Sequence, residues 1–198
     1  MFQFGVAIRM TIVSVVLLGL IYPLAMTGAA QAIFPREANG SLVMRDGKVV
    51  GSDIIGQRWS KPEDFQGRPS AAGKNGYDPT ATGGTNLGPT SAKLIAATKA
   101  TIAQLRKQNP QATVPLPIDL ATTSGSGIDP DISVQGAYYQ APRVAFARHL
   151  PLAQVDAVIS RAIEPRELGI LGEPHVNVLE LNLALDALSK RGGRPGKD

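Results

Sequence analysis

The sequence contains no cysteine and only two histidines, and aromatic residues make up 5% of its 198 positions. Without cysteine, disulfide bonds and thiolate metal sites are excluded. The histidines, His149 and His175, are far apart in the chain, and the pair Asp129 and Asp131 is too short to specify a cation. We therefore expect no metal site. From Pro35 to Ser189, basic and acidic residues are equal in number, so the composition does not favour nucleic-acid binding.

Charge is also absent from Met10 to Phe34. As a helix this run would reach about 37 Å, whereas the hydrocarbon core of a bilayer is about 30 Å thick. The run therefore predicts a transmembrane helix. The alternative is a cleaved secretory signal, because Ala30-Gln31-Ala32 has the form that signal peptidase accepts, and a free secreted enzyme would then begin at Ile33. An apolar signal core is typically about 7 to 15 residues long, which favours the uncleaved helix.

A proline lies in the middle of this apolar run, in the pair Tyr22-Pro23. In lipid, the proline leaves one backbone carbonyl without its usual donor. Neighbouring helices make such a position more tolerable, and Gly19 would allow them to approach closely. We therefore predict that Gly19, Tyr22 and Pro23 dock on a partner. Charge does not decide the orientation of the helix, since Arg9 lies on one side and Arg36 on the other.

The composition divides the chain into four segments and shows no internal repeat. We predict a short N-terminal tail at 1–9, a transmembrane helix at 10–34 and one soluble domain at 35–189. Residues 190–198 are basic and rich in glycine, which is typical of a disordered tail.

The first part of the soluble domain has the pattern of a hairpin followed by a loop. Asp46-Gly47 lies between β-forming residues in the stretch 41–57, a strong hairpin signal. Ser60 to Pro89 is crowded with Gly, Pro, Asn, Ser and Thr, which predicts a long ordered loop, and such loops are more often functional than idle. Thr90 to Gln108 has helical periodicity. Val114 to Leu120, interrupted by prolines, is predicted as an edge strand or an extended connector.

The second part of the domain is predicted to be helical. Ser133 can cap a helix that runs through Gln140 and continues past Pro142 to His149. Apolar residues repeat at spacings of three and four in Pro151 to Glu164. Asn177 can cap a last helix with an apolar face. A hairpin followed by helices predicts an α+β fold, attached to the single transmembrane helix.

Two glycine clusters invite a phosphate-loop interpretation, and neither satisfies it. Gly83 to Gly88 is followed by Pro-Thr instead of the Lys-Ser/Thr that reaches phosphate and metal. Ser124-Gly125-Ser126-Gly127 lacks both the dinucleotide spacing and the Gly-x-Ser-x-Gly elbow. Both clusters are predicted as turns, and no catalytic residue is assigned.

Three polar side chains interrupt the apolar stretch Ala137 to Leu150. Gln140, Arg143 and Arg148 each cost free energy to bury unless they find a partner. Gln140 and Arg143 are three residues apart and would share a helix face. They either pair with acidic residues inside the domain or face a partner subunit or a nucleotide.

Many of these segments recur together in one family. The sequence resembles the C subunit of the Kdp-type potassium-transporting ATPase of bacteria over nearly its whole length. The motifs that carry the resemblance are Tyr22-Pro23-Leu24, Asn39-Gly40-Ser41-Leu42, Gly67-Arg68-Pro69-Ser70-Ala71, Gly83-Gly84-Thr85-Asn86-Leu87, Ser124-Gly125-Ser126-Gly127 with Asp129-Pro130, Pro142-Arg143-Val144-Ala145, and Val176-Asn177-Val178-Leu179-Glu180-Leu181-Asn182.

The resemblance implies a single-span, non-catalytic accessory subunit of the bacterial inner membrane. It implies two protein partners, a channel-like potassium-translocating subunit and a P-type ATPase subunit, which import potassium at the expense of ATP. The potassium would be handled by the partner, and the soluble domain would lie outside the cytoplasm with the N-terminus inside. It also implies a chaperone-like role in raising the affinity for ATP. Because cytoplasmic ATP cannot reach an extracytoplasmic domain, this role competes with the implied topology.

The resemblance implicates Gln140 in the effect on ATP. If ATP, the possible ligand, binds directly, the residues suggest Gln140, Ser124, Gly125, Ser126, Gly127 and Arg143 as its candidate site. The candidate residues for partner docking are Tyr22, Pro23, Gly19 and Arg148. The sequence departs from the family pattern at Asp131, where histidine is expected, at Trp59, where phenylalanine is usual, and in the basic tail.

Overall fold

A computed structural model describes residues 2–192 of the chain. The chain divides into two compact units, Met1–Val50 and Gly51–Asp198. The last helix of the second unit continues to Gly192, past the predicted domain boundary at Ser189. The remainder of the predicted basic tail, residues 193–198, lies outside the described residues.

The first unit begins with one long apolar helix. It consists of α1 (Phe2–Ser14), a π-helical segment (Val15–Ile21) and α2 (Tyr22–Ile33). Within residues 2–192, one helix is long and apolar enough to cross a membrane, and it runs over Gln3–Ile33. Its large apolar side chains are exposed. The helix begins inside the segment that was expected to be a short tail.

The π-helical segment lies directly before the proline pair. The Tyr22 N–H bonds to the carbonyl of Leu17, five residues earlier, which is the π-helical pattern. Pro23 has no N–H, and its ring crowds the carbonyl four residues before it, that of Gly19. A widened turn separates the ring from that carbonyl, and it accounts for the position of the segment.

A short helix and a hairpin follow the long helix, and the division between the two units falls within the second strand of the hairpin. Helix α3 (Pro35–Ala38) leads to β1 (Leu42–Arg45) and β2 (Lys48–Ser52), which form a two-stranded sheet. The two turn residues have positive φ, 51° at Asp46 and 74° at Gly47. A two-residue loop with both φ values positive has the twist that the strands need. The predicted hairpin is confirmed.

The predicted loop and the first helix of the second unit come after the hairpin. Residues 60–89 form bends and turns without a helix or strand. Helix α4 (Ala92–Gln108) follows, and the Ser91 hydroxyl accepts a hydrogen bond from the N–H of Leu94 at its start. Both elements agree with the prediction.

The edge-strand interpretation of Val114 to Leu120 is wrong. The extended connector ends at Pro117, and α5 (Ile118–Ala121) is a single helical turn. Asp119 in this turn accepts hydrogen bonds from the N–H of Ser133 at 2.9 Å and from its hydroxyl at 3.0 Å. These bonds favour the helical turn because they join the Asp119 carboxylate to the beginning of the next helix.

A three-stranded antiparallel sheet was not predicted. It contains β3 (Asp131–Ser133), β4 (Ile163–Glu164) and β5 (His175–Asn177) in the order β3-β5-β4. The strands have two or three residues each, too few for an alternating pattern to be recognised. The helix predicted to reach Glu164 ends at Ala162 because the next two residues pair with β5.

Three helices pack around this sheet: α6 (Val134–Arg148), α7 (Leu152–Ala162) and α8 (Val178–Gly192). The predicted caps are confirmed, since Ser133 accepts from the N–H of Gly136 at 2.9 Å and Asn177 from that of Glu180 at 3.2 Å. The α+β prediction is also confirmed. The core that these elements share includes Phe65, Leu120, Ile132, Tyr139, Val144, Val155, Ile159, Val176, Leu181 and Leu185.

Candidate functional site

Gln140 lies inside the second unit and binds the backbone of the long loop. Its side chain is 1% exposed. The carboxamide oxygen accepts from the N–H of Gln66 at 2.9 Å, and the carboxamide nitrogen donates to the carbonyl of the same residue at 3.0 Å. The side chain therefore forms with the backbone of Gln66 the two hydrogen bonds that a neighbouring β-strand would form.

Asn182 on α8 does the same for the preceding residue of the loop. Its carboxamide accepts from the N–H of Phe65 at 2.8 Å and donates to the carbonyl of Phe65 at 3.0 Å. Phe65 itself is fully buried in the core. Two side-chain amides, one from α6 and one from α8, thus bond to the backbone of consecutive residues in a segment that forms no helix or strand. We call Gln140 and Asn182 the amide clamp.

Arg143 lies one helical turn after Gln140 and supports the same segment. Its guanidinium donates to Gln140 Oε1 at 2.8 Å, Asn109 Oδ1 at 3.0 Å and the Asp64 carbonyl at 3.1 Å, and also to the carbonyl of Pro62. Burial lowers the pKa of Arg143 to about 10, and the charge of Asp64 acts in the opposite direction. The side chain therefore remains charged at neutral pH.

Arg148, at the end of α6, forms ion pairs within the domain. It is bonded to Asp64 at 3.0 Å and to Asp186 at 2.9 Å, and its Nε donates to the carbonyl of Glu63 at 2.6 Å. Its side chain is 7% exposed. Burial raises the pKa of Asp64 above the ordinary value, while Arg148 acts to lower it. Removing Arg148 would leave a buried carboxylate without its partner.

The turn of Ser124, Gly125, Ser126 and Gly127 is bonded to other parts of the long loop. The Gly127 carbonyl accepts from the Ser70 hydroxyl at 2.5 Å, and the Ser126 carbonyl accepts from the Gly83 N–H at 2.8 Å. The Ser124 hydroxyl accepts from the N–H of Gly127 at 2.9 Å, inside the turn itself. These bonds pack the turn against the loop, and the N–H of Gly127 is used inside the turn itself.

Gly127 shows how closely this turn packs. Its φ is 73°, and a Cβ there would lie 2.7 Å from the Ala72 Cβ and 2.9 Å from the carbonyl oxygen of Gly83. Gly125, two residues earlier, has nothing within 4 Å of such an atom. Glycine is therefore required at position 127, because its φ is positive and because no space is left for a Cβ.

A cluster of ionisable side chains lies on the small sheet. His175 Nε2 is 3.6 Å from a carboxylate oxygen of Glu164 and 3.9 Å from one of Asp131. Burial raises the pKa of Asp131 to about 6, while the nearby His175 acts to lower it. Within residues 2–192, no group of three or more histidine or acidic side chains is arranged to hold a metal ion.

Comparison with known proteins identifies the family. The family model "K+-transporting ATPase, c chain", KdpC, matches residues 4–187. The sequence is 56% identical over 173 residues to the potassium-transporting ATPase KdpC subunit of Nitratidesulfovibrio vulgaris, covering 87% of each chain. It is 50% identical over 186 residues to that of Methylococcus capsulatus, covering 94% of this chain and 98% of the relative. The chain belongs to the KdpC family. The resemblance drawn from the sequence motifs is confirmed.

Membership of the KdpC family makes the chain a subunit of a potassium-transporting ATPase. The structure brings Gln140 and Arg143 into direct contact, whereas the Ser124–Gly127 turn bonds to other residues, Ser70 and Gly83. Arg148 pairs with acidic residues of the domain, one of the two alternatives that the sequence left open. The assignment of these residues to a nucleotide or a partner stays a prediction.

The sequence analysis missed Asn182 and the segment around Phe65. One signal was present. Asn182 is a polar amide directly after Leu181 on a helix with an apolar face, and Gln140 has a similar position on α6. What the sequence does not show is that both amides bind neighbouring residues of one loop. That pairing joins positions 117 residues apart, Phe65 and Asn182.

Proposed function

We propose that the chain is a non-catalytic accessory subunit that assembles and stabilises the potassium-import complex. The observation that carries this proposal is the apolar helix Gln3–Ile33, whose large side chains are exposed and which contains a proline-induced π-helical segment. A lone helix gains nothing from this irregularity, whereas a widened turn provides free backbone groups and an uneven surface on which neighbouring helices can pack. Gly19, Tyr22 and Pro23 are then the docking residues in the membrane.

The proposal includes a topology. Residues 10–34 cross the inner membrane, the N-terminus is cytoplasmic and the soluble domain at 35–189 lies outside the cytoplasm. The partners are the channel-like subunit, which handles potassium, and the P-type ATPase subunit, which hydrolyses ATP. The resemblance to the Kdp-type C subunit supports this arrangement, and the name of the relatives, potassium-transporting ATPase KdpC subunit, supports membership of a potassium-transporting complex.

We propose further that any effect of this chain on ATP affinity is exerted through the assembled complex. The carboxamide of Gln140 already bonds to the backbone of Gln66 and accepts from Arg143, and Arg143 uses four N–H groups on internal acceptors. A nucleotide would have to replace these bonds. Equilibrium binding of labelled ATP to the isolated full chain should therefore show no saturable phase. Saturable binding that is lost in a correctly folded Gln140→Ala variant would establish direct nucleotide binding instead.

Co-purification tests the assembly role. In the first variant, Met10 to Phe34 is replaced by an unrelated apolar helix of equal length, so that membrane insertion is retained. The second variant is Pro23→Ala. We expect the other subunits to co-purify with the unaltered chain, to be lost with the replaced helix and to be reduced with Pro23→Ala. Undiminished assembly with the replaced helix would contradict the docking role, and a mature chain beginning at Ile33 would indicate a secreted protein.

A further inference from the structure

A groove on the second unit combines an exposed aromatic ring with basic side chains. It lies between the end of α4 and the last turn of α6 and has a volume of about 250 Å³. Its walls include Pro62, Lys107, Pro110, Arg143 and Phe146. We call it the Phe146 groove.

Phe146 is unusually accessible for a phenylalanine on a core helix. It is 74% exposed, although Val144 and Ala145 beside it are buried. Solvent exposure of a ring this large is unfavourable, and the groove places it next to other apolar surface from the prolines. Phenylalanine is one of the residues that are enriched in protein–protein interfaces relative to the rest of the surface.

The charges at the groove have one sign. Among the described residues that line it, the charged ones are Lys107 and Arg143. An adjoining hollow shares Asn109 and Pro110 as walls, and its charged lining residue, again among those described, is Arg106. The positive potential at this end of α4 therefore extends over two neighbouring depressions.

The guanidinium of Arg143 donates its hydrogen bonds to oxygens that carry no formal charge. The four acceptors are the side-chain amides of Asn109 and Gln140 and the carbonyls of Pro62 and Asp64. The Asp64 carboxylate is the acidic group that acts on Arg143, and it is bonded directly to Arg148. A further carboxylate at the groove would bond to Lys107, and the charge of Arg143 would attract it without any change in the four internal hydrogen bonds of Arg143.

We infer that the Phe146 groove receives an acidic segment of another subunit of the complex, with a carboxylate beside Lys107 and Arg143 and an apolar side chain on Phe146. This inference rests on the proposed function. The concave shape favours a protein segment over a bilayer surface, because side chains that insert into lipid must protrude. A small anion alone would leave Phe146 exposed.

Site-specific photo-crosslinking in the assembled complex tests this inference. Phe146 is replaced by p-benzoylphenylalanine in the full chain, the complex is purified through a tag and irradiated, and the cross-linked peptides are identified by mass spectrometry. We expect one dominant product with another subunit, at a peptide that contains Asp or Glu. Adding Lys107→Glu should reduce the yield about tenfold, since it reverses a charge at the contact.

The matched control is Lys99→Glu, which makes the same charge change at an exposed position of the same helix, outside the groove. It should leave the yield unchanged within about twofold. Products with lipid alone, a partner peptide without acidic residues, no inter-subunit product, or equal sensitivity to Lys99→Glu and Lys107→Glu would each overturn the inference.

The result also separates the two proposals. If the other subunits co-purify but the expected cross-link is missing, the assignment of the groove fails and the assembly role stands. If the other subunits do not co-purify even with the unaltered chain, both proposals fail.

Discussion

At the level of single side chains, the structure assigns Gln140 and Arg148 to internal contacts that their sequence positions allowed but did not decide. Both interrupt an apolar helix face, and burial of a polar group requires a partner inside the domain or outside it. Their partners, Gln66 for one and Asp64 with Asp186 for the other, come from segments far away in the chain. Helical periodicity locates such residues on a face, but it does not identify what the face meets.

Gln140→Ala should destabilise the second unit by about 2–3 kcal/mol. The change leaves the N–H and carbonyl of Gln66 without their partner and removes an acceptor of Arg143. Urea unfolding of the full chain in detergent, followed by the fluorescence of the single tryptophan, Trp59, measures this effect.

The matched control for Gln140→Ala is Gln135→Ala, an exposed glutamine on the same helix. It donates one exposed hydrogen bond, to the carbonyl of Pro115, and should change the stability by less than about 1 kcal/mol. Equal stability of the two variants would contradict the clamp role of Gln140.

Asp131→Asn should stabilise the second unit at neutral and higher pH. The pKa of Asp131 is raised from 3.8 to about 6, chiefly by burial and also by the charges of Asp129 and Glu164, against the opposing charge of His175. The folded state therefore binds this proton more tightly than the unfolded state, so that the contribution of Asp131 to stability falls as the pH rises from about 4 to 6. Asparagine avoids this loss.

We expect Asp131→Asn to exceed the parent by about 1 kcal/mol at pH 8, after allowing for solvent screening, and to approach it at pH 4. Urea midpoints across this pH range provide the measurement. Glu167→Gln, an exposed change outside the cluster, is the control. A difference between Asp131→Asn and the parent that does not vary with pH would show that the charge of Asp131 is not responsible.

At the level of helices, strands and turns, local signals were sufficient where an element is determined by its own residues. Ser133 and Asn177 cap their helices as predicted, and Asp46-Gly47 forms the hairpin turn. The β3-β5-β4 sheet could not be predicted, because strands of two or three residues gain their stability from pairing with segments that are distant in the chain. The helical turn at Ile118–Ala121 was missed for a similar reason, since Asp119 bonds to Ser133.

Gly127→Ala should destabilise the second unit by about 2–3 kcal/mol, because the added Cβ both requires φ of 73° and collides with Ala72 and the backbone of Gly83. Gly125→Ala, in the same turn, meets nothing within 4 Å and should cost less than about 1 kcal/mol. Thermal unfolding of the full chain distinguishes them. If the two variants melt together, the turn is not packed as described.

For the protein as a whole, the sequence alone was informative about class and family. The uncharged run and the ordered motifs indicated an anchored accessory subunit, and the KdpC family assignment confirms the resemblance. The division of the chain at Val50 and the clamp on the long loop required the structure. The polar side chains that the sequence singled out on α6, Gln140, Arg143 and Arg148, serve the packing of the domain itself.

The central claim is that this chain acts through assembly and has no chemistry of its own. Its most direct test is potassium-stimulated ATP hydrolysis by the complex purified from membranes with and without this chain, with the chain alone assayed in parallel. We predict that hydrolysis is lost without the chain, returns when the full chain is expressed, and is not catalysed by the chain alone. Full activity of a complex that lacks the chain, or ATP hydrolysis by the isolated chain, would contradict the account.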